Sequence, residues 1–181
     1  MKTKALLLLL LGILATTGST CINEGFLVSV NLPISACFAI NPGPSTSYDG
    51  TVAIKLADQI DASYIDEIQT VRYYDIRVSN QGTYADSVVN GRAFINNILL
   101  LTYAGKWSDF ATPQSLLQNS TLIQVQAAGL NELVRVLNQF KTDATTTLYL
   151  RSTGRLTGAP PVPAGLSVCV EILAQVDAKV Q

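Results

Sequence analysis

Histidine is missing from all 181 residues. That one absence removes Ser-His-Asp and Cys-His nucleophile systems, histidine general bases, and most zinc and copper sites. Cysteine is sparse too, and Cys21, Cys37 and Cys169 stand too far apart for any thiolate metal motif. No glycine-rich phosphate loop occurs: Gly154 to Gly158 lacks the lysine and the strand-loop-helix setting that such a loop needs. Charge is thin at 14% of residues, so the surface must rely on Thr, Ser, Asn, Gln and Gly. After Leu14 no apolar run approaches the ~18 residues of a spanning helix. No cofactor and no metal are expected.

What is present begins with an address rather than a fold. Lys2 and Lys4 precede the apolar run Ala5 to Leu14, and small residues follow to Thr20. This is the layout of a secretory signal peptide over residues 1–20, which leaves 21–181 as a single domain. Without Lys2 and Lys4 the balance is ten basic against thirteen acidic residues, a net charge of −3. That balance argues against nucleic acid and against attraction to an anionic membrane surface. The chain is expected to be exported: periplasmic, outer-membrane-associated or extracellular.

Three cysteines in an exported chain leave one over. Cys21 sits where a bacterial lipoprotein carries its acylated residue, although Gly18-Ser19-Thr20 departs from the usual lipobox. A lipid anchor at Cys21 would leave Cys37 and Cys169 as a disulfide pair. Both stand on the more polar phase of strand-like runs, beside Ile34, Ala36, Phe38 and Val168, Val170. The alternative is three free thiols.

The strongest pattern is at the end of the chain. Val168, Val170, Ile172, Ala174, Val176, Ala178 and Val180 alternate with mostly polar residues, the period of a strand with one dry face. At about 3.3 Å per residue the run is far longer than an ordinary strand. It either bends across two sheets or overhangs the domain, a spine to which other strands are added. Phe26 to Leu32 and Ile34 to Ile40 alternate around Pro33, which marks an edge or a bend. Val52, Ile54 and Leu56 continue the period. Ile68 to Ser79 changes phase partway, as a β-bulge or a crossing between sheets would make it do. Ile98 to Leu101 is apolar on both parities, which predicts the centre of a sheet. Strand is predicted over Thr145 to Arg151, with turns at Gly105-Lys106 and at Ser152-Thr153-Gly154.

One stretch has helical spacing: Leu130, Leu133, Val134, Leu137 and Phe140, opposite Asn131, Glu132, Arg135, Asn138 and Gln139. The sum is an all-β chain, an antiparallel β-sandwich of about eight or nine strands with one amphipathic capping helix near 129–140. A partly closed barrel is the runner-up. In element order alone this is loosely similar to the water-stress type of sandwich, and no residue is carried over from it. The dry face is expected from Val168, Val170, Ile172, Val176, Ile54, Leu56, Ile76 and Val78, with Leu133 and Leu137 from the helix.

The acids Asp58, Asp61, Asp66 and Glu67 cluster, but their spacing fits no calcium loop and each serves equally as a turn or cap residue. The aromatics offer more. Tyr73, Tyr74, Tyr84, Tyr103 and Trp107 could form a platform that stacks on sugars or anchors a protein, or they edge the core with wet hydroxyls. The reading is a non-catalytic cell-envelope binding or adhesion module whose partner is a protein or carbohydrate at the cell surface. The alternative is a self-associating structural subunit that pairs with its copies through the long C-terminal strand.

Overall fold

The computed structural model describes residues 26–42, 47–61, 64, 68–84, 87–158 and 161–180. The signal peptide, Cys21, Asp66 and Glu67 lie outside them. The elements in chain order are β1 (Phe26–Ala39), β2 (Ser47–Lys55), β3 (Ile68–Gln81), β4 (Val88–Ile95), β5 (Ile98–Lys106), β6 (Gln114–Ser115), β7 (Ile123–Val125), α1 (Ala127–Phe140), β8 (Thr147–Thr157) and β9 (Ser167–Val180). A four-stranded sheet runs β1-β9-β3-β6 and a five-stranded sheet runs β2-β8-β4-β5-β7, antiparallel throughout. The fold is a β-sandwich with one helix.

The C-terminal strand is the spine of its sheet. β9 pairs with β1 over its whole length, from Phe26↔Val180 to Ala39↔Ser167, and with β3 from Ile68↔Ala178 to Gln81↔Ser167. Its dry phase, Val168, Val170, Ile172, Ala174, Val176 and Ala178, is buried. With both sides hydrogen-bonded, β9 has no edge left for a neighbouring copy, which corrects the expected route of self-association. Pro33 lies in β1, an edge strand, where its missing N–H leaves no gap in an interior ladder. The phase change in β3 is a pair of register shifts, at Ile68/Thr70 and Tyr73/Asp75.

All ten residues expected on the dry face are buried. Cys37 and Cys169 are an in-register pair of β1 and β9, joined as a disulfide with Cα atoms 4.0 Å apart. The bond sits on the outward face and closes 132 residues of chain. In the chain-entropy picture a loop that long contributes about 5 kcal/mol. Such a bond suits an oxidising compartment. No helix among the described residues is long and apolar enough to cross a membrane.

Three local expectations are corrected. Ile98 to Leu101 is not central, because β5 lies next to the short edge strand β7. Its double apolar phase comes from a register shift at Ala93/Phe94 that turns Leu100 and Leu101 both inward. Gly105-Lys106 stays in β5, and the chain turns at the 3₁₀ segment Trp107–Phe110 instead. Ser152-Thr153-Gly154 is no turn either, since β8 runs on to Thr157. Asn96 and Asn97 form the hairpin turn between β4 and β5, both with positive φ (49° and 68°).

The helix lies against β5, β3 and β4 and so touches both sheets. A Cβ at Gly129 would land on Leu100 Cα and Leu99 O, so only glycine allows this approach to β5. Gln126 N–H donates to Leu100 O at 2.8 Å, tying the helix start to the sheet. Glu132 is not on the wet face as expected. It is buried because Asn96 Nδ2 (2.7 Å) and Arg135 Nε and Nη2 (2.8 and 2.7 Å) satisfy its carboxylate. These hydrogen bonds, Arg135 foremost, hold the carboxyl below its ordinary pKa.

Candidate functional site

The five-stranded sheet is unusual along one transverse row. Tyr48, Gly154, Gly91 and Tyr103 pair in sequence across β2, β8, β4 and β5. On the inner side each tyrosine lays its ring over the neighbouring glycine, where a Cβ would collide with it. The two hydroxyls meet each other, and Tyr103 also bonds Ser152 Oγ at 2.8 Å. Burial, above all, raises the pKa of both phenols. A polar row thus sits satisfied inside the core.

The outer side of the same strands forms a trough of about 1010 Å³. One row of its floor is Asp49–Thr153–Arg92–Thr102–Gln124, and the next is Ser47–Arg155–Asn90–Ala104. Asn41 and Thr121-Leu122 contribute to the rim. Asp49 is held by Arg151, whose Nε donates at 2.9 Å and Nη2 at 2.5 Å, and this fork keeps the Asp49 carboxyl below its usual range. Arg151 in turn lies over the Phe94 ring, 5.8 Å from its centroid.

Arg92 and Arg155 are different: both are exposed, and neither side chain has a hydrogen-bond or ion-pair partner among the described residues. Lys55 and Lys106 also face outward on these strands. Against five cations the strands of this face set one carboxylate, Asp49, in a chain of net charge −1. The whole-chain balance concealed a local excess of positive charge.

The outward face of the four-stranded sheet lacks this character. Asp177 accepts from Ser29 (2.6 Å) and Thr70 (2.7 Å) and pairs with Arg72 at 3.3 Å; those hydroxyls hold its carboxyl low. Arg77 is claimed by Asp75 at 2.8 Å and approaches Glu171 at 4.0 Å. Its arginines are neutralised at home.

The five rings expected to form a platform are not brought together. Tyr103 and Trp107 are only 2% and 3% exposed and belong to the core, the first against Phe110 and the second donating its indole N–H to Gly82 O at 3.0 Å. Inward-facing positions over Gly91 and at the start of the 3₁₀ turn leave them no surface to offer. Tyr84 and Trp107 share a cleft of about 440 Å³. Tyr73 is half-buried and Tyr74 is 48% exposed, both beside the β3 bulge. Asp58 and Asp61 are exposed, and no group of three or more potential metal-ligating side chains occurs among the described residues.

Sequence reasoning missed Arg92, Arg155 and their row. The signal was there: Tyr149, Arg151, Thr153, Arg155 and Thr157 share one parity of β8. Ending that strand at a supposed turn hid it.

Comparison with known proteins adds little. No protein-family model matches the chain, and no curated protein does. A solved structure named for Desmodium yellow mottle tymovirus superposes with a TM-score of 0.36 at 10% identity, over 86% of this chain and 84% of that one. A likeness this weak carries no argument about lineage or function.

Proposed function

We propose that the protein is an exported, non-enzymatic binding module that acts by contact through the outward face of its five-stranded sheet. One observation carries the reading: Arg92 and Arg155 stand exposed, without a side-chain partner among the described residues, on the floor of a trough rich in hydroxyls and amides whose single carboxylate, Asp49, is already held by Arg151. Charges left without a partner inside a fold are free to serve one outside it, and they set specificity and encounter rate. The site therefore moves from the aromatic set to this trough. Catalysis lacks a comparable arrangement, because the trough offers a single carboxylate that already has a partner and no nucleophile beside a base.

Surface plasmon resonance against immobilised mucin, fibrinogen, dextran and dextran sulfate tests the reading. Whatever the wild type binds, Arg92→Glu/Arg155→Glu should release, while Arg72→Glu on the other sheet should not. Binding that ignores the double variant, or hydrolytic turnover that vanishes when Asp58, Asp61, Asp66 and Glu67 become amides, would overturn it. Association between copies stays the runner-up, now through the unpaired edge of β1. Light scattering that shows oligomers dependent on that edge would favour it.

A further inference from the structure

We infer that the ligand of this trough is an acidic polysaccharide, a chain of sugar rings bearing carboxylate or sulfate groups; the inference rests on the contact reading above. Arg92 and Arg155 face outward on β4 and β8 in the pairs Arg92↔Thr153 and Asn90↔Arg155. That makes them diagonal neighbours, roughly 7–8 Å apart along the sheet. Each guanidinium presents a planar fork that matches the two oxygens of a carboxylate or sulfate. Two forks at that spacing suit anions repeated along one chain rather than a lone small ion.

Around the forks stand neutral hydrogen-bonding residues, Thr102, Thr153, Asn90 and Gln124, and one carboxylate, Asp49, which Arg151 already holds. Hydroxyls and amides both donate and accept, which is what the hydroxyl-studded edge of a sugar requires. The trough crosses from β2 to β7, four strand spacings or roughly 19 Å, room for more than one ring. A nucleic acid would want exposed rings on which to stack its bases. The trough floor has none: the Tyr48 and Tyr103 rings lie on the buried side and Phe94 is covered by Arg151. A folded protein partner would want an apolar anchor pocket at the centre, and the centre here is charged and polar.

Biolayer interferometry on the purified chain with four immobilised polymers decides the matter: dextran sulfate, polygalacturonate, neutral dextran and a twenty-nucleotide oligothymidylate. The expected result is binding to at least one of the two acidic polysaccharides, no binding to dextran, and weaker binding to the oligonucleotide. Affinity should fall with added salt. Arg92→Glu/Arg155→Glu should lose about tenfold or more, and its thermal midpoint should match the wild type because both side chains are solvated. Thr102→Ala/Gln124→Ala should weaken binding with an unchanged salt dependence, as loss of neutral hydrogen bonds would. Equal binding to dextran, tighter binding to the oligonucleotide, or no binding to either acidic polymer overturns the inference. If the double variant then still abolishes binding to mucin or fibrinogen, the contact face stands and only the ligand class is wrong.

Discussion

Gly91→Ala probes the packing beneath the trough. Gly91 pairs with Gly154 on one side and Tyr103 on the other, so its strand is held from both directions. A methyl there would fall on Cζ and the hydroxyl of Tyr103. The ring has no free direction of escape: it is fully buried, edge-on to Phe110 with centroids 6.1 Å apart, and tethered to Ser152. Overpacking of this kind costs about 1–3 kcal/mol, a large share of a domain stability of about 5–15 kcal/mol. The mechanism can be isolated with Tyr103→Leu, which removes the ring but keeps an apolar side chain. In that background the added methyl meets space, and Gly91→Ala should cost less than about 0.5 kcal/mol or even stabilise, since alanine gives up less backbone freedom. The coupling between the two sites should be about 1–3 kcal/mol. Urea unfolding of the four proteins, disulfide intact, reads it from midpoints at constant m. Equal costs of Gly91→Ala in both backgrounds, or a cost below about 0.5 kcal/mol in the wild type, would refute the ring-over-glycine account.

Ile172→Ala, at a fully buried position in the middle of β9, should destabilise by about 2–5 kcal/mol in the same urea assay; less than about 1 kcal/mol would put the dry face on the wrong parity. Removing the disulfide with Cys37→Ala/Cys169→Ala should lower stability by as much as about 5 kcal/mol, and non-reducing peptide mapping of the wild type should recover the two cysteines in one linked peptide. Glu132→Gln should lower stability near neutral pH by about 1–3 kcal/mol through its weakened bonds to Arg135 and Asn96. Because the Glu132 carboxyl is depressed below 4.5 in the fold, that contribution is present above the unfolded value and is lost as pH falls through the folded one. Wild type and variant should therefore converge only once pH has fallen below the depressed folded value, and a gap that persists in stronger acid would point to packing instead.

The sandwich was legible because period two survives wherever one face is dry. β9, β1 and the strand core positions followed from alternation alone, and the change of phase in β3 was visible in the order of its side chains, though only the register shows it to be a bulge rather than a crossing between sheets. The disulfide was anticipated from the odd cysteine count, with Cys21 set aside, together with the shared polar phase of Cys37 and Cys169. The site was not legible, for two physical reasons. Serine and glycine at 152 and 154 read as turn residues, yet here they are small so that the rings of Tyr48 and Tyr103 can cross the sheet. Tyr103 and Trp107 read as candidates for a surface platform, although aromatic side chains with a polar tip are also good core residues once the tip finds a partner. Strand order was the other missing piece. Nothing in the local pattern says that β8 lies between β2 and β4, and only that order sets Arg92 diagonal to Arg155.

An amide-detected NMR titration of the isotope-labelled chain with a short dextran sulfate oligosaccharide tests the central claim most directly. Contact through the outward face of the five-stranded sheet predicts shifts at Asn90, Arg92, Thr102, Gln124, Thr153 and Arg155, with saturation at one concentration. Shifts gathered instead around Ser29, Thr70 and Asp177 on the other sheet, or around Tyr84 and Trp107 in the smaller cleft, would contradict it.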